Sequence, residues 1–213
     1  VTPQRTIGDS RVALFFAALL CLITPIAHAE DTAAAIDPTQ WRVWMEPKFM
    51  HTPVVVPLAE AQRTELAAGA LSPGGLTAFT KDDFAALLVD RELFHSVAIL
   101  NTAYDLKKLR FRFERDKHRV IRYAAIESDE PVVASAVLFP GFLDLWKNTL
   151  GEKVLIVVPN RYTAYLFPRL ATDYLDYAPM IFRAYRDTAY PVSVEVFEIG
   201  PDGWHCLGAY AEP

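Results

Sequence analysis

Hydrophobic positions along this chain follow three patterns, each marking a different kind of segment. The first is an unbroken apolar run over 12–23, preceded by Arg5 and Arg11 and followed by Thr24-Pro25 and Ala27-His28-Ala29. A basic start, an apolar centre and a small-residue site make up a secretory leader, so 1–29 is expected to be a signal peptide cleaved after Ala29. The run falls short of the about 20 apolar residues that a membrane helix needs, and no permanent membrane anchor is expected.

The second pattern has the period of a helix. Residues 58–70 have helix-forming composition, with Leu58, Ala61, Glu65 and Ala68 in one register, and Ser72-Pro73-Gly74-Gly75 ends them. Thr80 then caps a helix predicted over 81–94, with Asp82 and Asp83 in its first turn and Phe84, Leu87, Leu88 and Arg91 at helical spacing. Residues 95–108 fit either period. Phe142, Leu145, Trp146 and Leu150 mark a short helix closed by Gly151; Pro168 starts another, which Pro179 should kink or split.

The third pattern is that of strands. Residues 41–45 alternate loosely, and Phe111 and Phe113 alternate with Arg110 and Arg112 before a turn at Asp116-Lys117 and a returning strand over 120–126. Residues 132–139 read as a further apolar strand. The Val-Leu-Ile-Val-Val run ending at Val158 reads as a buried strand with 162–167 as its hairpin partner, and 192–199 pairs with 204–209 around Pro201-Asp202-Gly203. Strands thus come in adjacent pairs separated by helices, which predicts an α+β fold with an antiparallel sheet. Ahead of it, 30–57 is polar as far as Gln40 and interrupted by Pro38, Pro47, Pro53 and Pro57. It predicts an extended N-terminal arm, leaving 58–213 as the α+β domain.

With 52% hydrophobic and 22% charged residues, the chain can bury a proper core. Cys21 lies in the leader, so Cys206 alone remains and no internal disulfide can form. A lone exposed thiol is a liability in the periplasm or outside the cell, the locations that the leader implies, so Cys206 is expected to be buried.

Charge adds more. A net −5 together with export excludes a general nucleic-acid binder. Between 107 and 122, however, eight basic residues face only Glu114 and Asp116, a net +6 that leaves −11 for the rest. Arg110 and Arg112 share one strand face opposite Phe111 and Phe113, and Arg115, Lys117, Arg119 and Arg122 extend the basic stretch. This is either a solvated outer face over a phenylalanine-lined core, or a surface for an anionic partner: a lipid headgroup, a cell-wall polymer or an acidic protein.

His205-Cys206 beside Trp204 suggests a thiol nucleophile. Adjacent strand residues project to opposite faces, so the base would have to be His51, His95 or His118; the other reading is a core thiol. Asp173 and Asp176, three apart, could share a metal, yet no further ligand follows at a useful spacing, and a helix start gives the same pattern. Gly74-Gly75 lacks the context of a phosphate loop, and no nucleophile-elbow or zinc-protease pattern occurs. No cofactor and no metal is expected.

One stretch carries a resemblance. Its order is an apolar segment into Phe139-Pro140, a helix with Trp146 ending at Leu150-Gly151, a strand into Pro159-Asn160-Arg161, then Tyr190-Pro191-Val192-Ser193, Val196-Phe197-Glu198 and Asp202-Gly203-Trp204. Over 132–206 this order resembles the YtpQ-like family of uncharacterised bacterial proteins. The family's Val-Pro-x-Arg-Asp pattern is met at Val158, Pro159 and Arg161, with Tyr162 where the acid is expected. The resemblance implies an α+β fold and no assigned reaction. Arg161 is either a polar anchor at a strand end or a turn arginine satisfying nearby carbonyls.

These readings predict an exported, non-enzymatic periplasmic or secreted protein that binds an anionic ligand or partner. Its candidate binding residues are Arg110, Arg112, Arg115, Lys117, Arg119, Arg122, Arg161, Trp204 and His205. The alternative is a hydrolase or transferase using Cys206, or a carboxylate with a distant histidine. Trp41 and Trp44, near the start of the mature chain, suggest self-association into a homo-oligomer.

Overall fold

The computed structural model describes residues 36–212. The expected leader, and residues 30–35 of the expected arm, lie outside the described residues. Chain order is β1 (Trp41–Pro47), β2 (Val55–Val56), β3 (Thr64–Ser72), β4 (Gly75–Ala78), α1 (Lys81–Ala86), α2 (Arg91–Asp105), β5 (Arg110–Arg115), β6 (Ile121–Glu127), α3 (Val133–Ala136), β7 (Val154–Asn160), β8 (Thr163–Pro168), α4 (Ala178–Arg186), β9 (Glu195–Gly200) and β10 (Gly203–Ala209). The fold is α+β, and every strand pairing is antiparallel. The strands divide between a small sheet, in which β3 pairs with β1, β2 and β4, and a six-stranded sheet of order β10-β9-β7-β8-β6-β5.

The period of two in a strand explains the two cores. In the large sheet Ala124, Ile126, Val154, Ile156, Val158 and Leu166 face a core shared with the small sheet and with Phe94 and Ala98 of α2. The alternate residues Tyr123, Leu155, Val157, Tyr165 and Phe167 face a second core, closed by Ile181 and Phe182 of α4. β7 is therefore covered on both faces, as its continuous apolar run requires.

Local reading failed where distant partners outweighed propensity. Residues 58–70 do not form the expected helix; most of them belong to β3, which pairs with β1 from Trp41↔Ala70 to Pro47↔Thr64. Alanine's helix propensity exceeds that of other ordinary residues by at most about 0.7 kcal/mol per residue, a preference that strand pairing overrides, and within the strand Gly69 lets Trp44 lie close against it. A Cβ on Gly69 would come within 2.7 Å of the Trp44 ring and 2.1 Å of the Thr77 carbonyl oxygen. The same pairing joins β1 and β3, on either side of 57/58, in one sheet.

The helix predicted over 81–94 is two helices. Thr80 and Asp83 form a capping box on α1, Leu88 adopts a left-handed backbone (φ 55°), and Asp90 accepts from the Leu93 N–H to cap α2. Residues 132–139, expected as a strand, instead contain the wholly buried α3. A short apolar run without polar punctuation reads equally as either, and the Val133 N–H is taken by the Arg161 carbonyl at 2.9 Å. At Pro179 the expected helix is split rather than kinked: a 3-10 turn over Tyr174–Tyr177 precedes α4. Pro179 occupies the second position of α4, where its missing N–H costs nothing.

Trp41 and Trp44 are buried in the first core rather than offered to a partner, which removes their part in the self-association reading.

Candidate functional site

The sheet order separates the residues that sequence reading grouped together. β5 and β10 are opposite edges, five strand spacings or roughly 24 Å apart. The basic hairpin therefore does not meet Trp204 and His205.

On the hairpin every residue of β5 is exposed, yet its arginines are engaged. Arg110 pairs with both Asp129 oxygens, which holds the Asp129 carboxyl below its usual range. Arg112 lies 3.7 Å from both Glu114 and Glu127, and Arg122 pairs with Asp173. Arg115 donates to the Arg119 carbonyl at 2.9 Å and lies over the Phe113 ring. Lys117 and Arg119 are exposed in the turn. Phe111 and Phe113 do not line a core: they are 39% and 37% exposed, edge-on to Trp146 at the sheet margin.

At the other edge Trp204 packs on Phe197, and His205 Nδ1 lies 3.5 Å from Glu60 Oε2. Cys206 is half-buried rather than buried, because it sits on the edge strand β10. Burial pushes its thiol up against an opposing contact with the Gly208 carbonyl, and the nearby Glu195 carboxylate raises it further. That is the reverse of thiolate activation. None of His51, His95 and His118 is hydrogen-bonded to it. Asp173 is taken by Arg122 and Asp176 is exposed; among the described residues no three His, Cys, Asp or Glu side chains are placed to hold a metal.

Arg161 stands apart from the hairpin. Its Nη2 lies 2.8 Å from Glu46 Oε2, which also accepts the Trp44 indole N–H at 2.6 Å. The guanidinium is held between the Trp44 and Tyr190 rings, 5.4 and 5.0 Å away. It is a buried fastener between β1 and the β7–β8 turn, not a free anion receptor.

A second buried acid builds a different place. Glu195, at the start of β9, accepts the Gln62 and Arg63 N–H groups on Oε1 (2.7 and 3.0 Å) and the Thr64 hydroxyl on Oε2 (2.6 Å). These bonds satisfy the carboxylate and pin the start of β3 to the large sheet, which places Arg63 in the lining of a cleft shared with α4. Lys48, in the turn after β1, is tied to the same segment: its N–H donates to the Arg63 carbonyl and its Nζ to the Ala61 carbonyl, both at 2.8 Å.

The result is a cleft of about 490 Å³, within the usual range for small-molecule sites. It is lined by Lys48, Phe49 and Arg63, by Phe182, Tyr185 and Arg186 of α4, and by Val192, Ser193 and Val194 ahead of β9. Arg186 lies over the Phe182 ring at 5.5 Å, with Nη2 3.8 Å from Glu212. Glu65, whose carboxyl burial pushes up, is close enough for Lys48 to oppose that shift. Arg63 has no ion pair with an acid among the described residues. A second depression of about 340 Å³ shares Gln62 and Arg63 and reaches Glu195 and Cys206.

Lys48, Arg63 and Arg186 were not legible as a group, since they lie in three separate segments, Arg186 with Arg183 three residues before it. The neighbouring aromatics in Lys48-Phe49 and Tyr185-Arg186 were the one local hint. No known protein family, curated protein or solved structure matches this chain.

Proposed function

We propose that this is an exported, non-enzymatic binding protein whose ligand is a small anion with an apolar body, held in the cleft between the Lys48 turn and α4. The observation that carries the reading is the convergence of Lys48, Arg63 and Arg186, from three separate segments, on a space lined by Phe49, Phe182 and Tyr185. Cations supply orientation and on-rate, and the aromatic side chains supply affinity through burial. Export rests on the leader-like pattern of 1–29. The resemblance of 132–206 to the YtpQ-like family brings no reaction with it, in keeping with a binding role.

Titrating the full chain with 1-pyrenebutyrate, and with 1-pyrenebutanol as its uncharged counterpart, tests this by fluorescence. The butyrate should bind saturably and more tightly than the alcohol, and Arg63→Ala should cost about tenfold or more, the value of a charge-assisted hydrogen bond. Equal binding of the two probes, or indifference to Arg63→Ala, would sink the proposal.

A further inference from the structure

The lining of the cleft contains one acid, Glu212, and it is paired with the one cation that α4 contributes to it. The pair is loose. At 3.8 Å, with the two side chains 55% and 72% exposed, it is the kind of contact that exchanges readily with another anion. Arg186 is nevertheless well prepared to receive a carboxylate: it ends α4, where the helix dipole favours a cation, and the Phe182 ring one turn back supports its guanidinium.

What brings Glu212 there is a fixed anchor. Tyr210 is buried; its N–H donates to the Val194 carbonyl at 3.0 Å and its hydroxyl to the Tyr174 carbonyl at 2.7 Å. Two residues beyond such an anchor span about 7 Å, so Glu212 can leave Arg186 without loosening Tyr210. Phe49, also in the lining, is 58% exposed, an aromatic surface open to solvent.

Building on the anion-binding reading of the cleft, we infer that its ligand is a carboxylate with an apolar tail, and that Glu212 stands in the place of that carboxylate in the free protein. Ligand binding and the Glu212–Arg186 contact then exclude each other. The tail of the ligand covers Phe49, while its acid displaces the chain's own.

The test compares 1-pyrenebutyrate affinity in the full-length wild type, Glu212→Gln, Arg186→Ala and the double variant, with inorganic phosphate as competitor. Glu212→Gln should tighten binding by about two- to fivefold, the worth of an exposed ion pair. The gain should vanish when Arg186 is also replaced, and phosphate should displace the probe poorly. If Glu212→Gln binds no better while Arg63→Ala still weakens binding, the cleft reading survives and the competition is wrong. Displacement by phosphate as effective as by unlabelled butyrate would overturn the carboxylate assignment. If neither Arg63→Ala nor Glu212→Gln changes affinity, the cleft reading itself has failed.

Discussion

The β5–β6 hairpin holds the densest positive charge in the chain, and the cleft holds only three cations, yet the two regions use charge in opposite ways. Arg110 and Arg112 find acids supplied by their own neighbourhood: Asp129 and Glu127 lie at the end of the partner strand or just beyond it, and Glu114 on β5 itself. Such pairs lie in solvent and neutralise one another. In the cleft, Lys48, Arg63 and Arg186 come from remote segments, and a buried carboxylate, Glu195, spends itself on backbone N–H groups rather than on the cations. Charge density along the chain therefore does not mark a binding site; cations converging from remote segments, with Arg63 free of an ion pair among the described residues and Arg186 held only loosely by Glu212, do.

The comparison breaks if all the basic residues behave alike on substitution. The largest difference should come from Arg161, a third case in which the cation is buried and paired. Arg161→Ala leaves the buried Glu46 side chain with one partner fewer, an expected loss of about 3–5 kcal/mol in urea unfolding; Arg110→Ala should leave the midpoint where it is. Next comes binding. Replacing Arg110, Arg112 and Arg115 together by alanine should keep 1-pyrenebutyrate affinity within about twofold, against the about tenfold loss from Arg63→Ala. A triple variant that loses affinity as Arg63→Ala does would return the site to the hairpin.

A smaller effect separates buried acids. Asp105 is enclosed by Arg42 of β1, Ser135 of α3 and Lys108 beyond α2, and its Oδ1 has no hydrogen-bond partner. Burial raises its carboxyl above the ordinary 3.8, against the opposing pull of Arg42 and Lys108. A folded-state value that is raised means stability present below the unfolded value and lost as pH climbs through the folded one. Wild type should therefore lose stability relative to Asp105→Asn as pH rises from 3.8 through that raised value, read from urea midpoints across the range. The opposite slope would mean that Arg42 outweighs burial. The smallest effect concerns Cys206: iodoacetamide should label the native protein more slowly at pH 7 than a model thiol, because burial and Glu195 keep it protonated. Rapid labelling would revive a nucleophilic role.

The hairpins β5–β6, β7–β8 and β9–β10 were legible because each closes over a short turn whose residues are adjacent in sequence, Gly203 (φ 102°) among them. The Thr80 cap was legible for the same reason. The second cap at Asp90 was hidden inside a continuous helical period, and the nature of 64–72 by its alanines. Of the binding residues anticipated, Arg110, Arg112 and Arg122 are already paired with acids and Lys117 and Arg119 lie exposed in the turn, while the cleft cations escaped notice.

Residue types and their local spacing thus determined the α+β class, the paired strands and the two-faced burial of β7, since these depend on periods of two and on turns of a few residues. Tertiary structure alone decided that an alanine-rich segment is a strand, that a valine-rich one is a helix, and that Lys48, Arg63 and Arg186 share a cleft. Those outcomes hang on contacts such as Thr64 with Glu195, 131 residues apart, whose energy exists only once the chain has closed on itself.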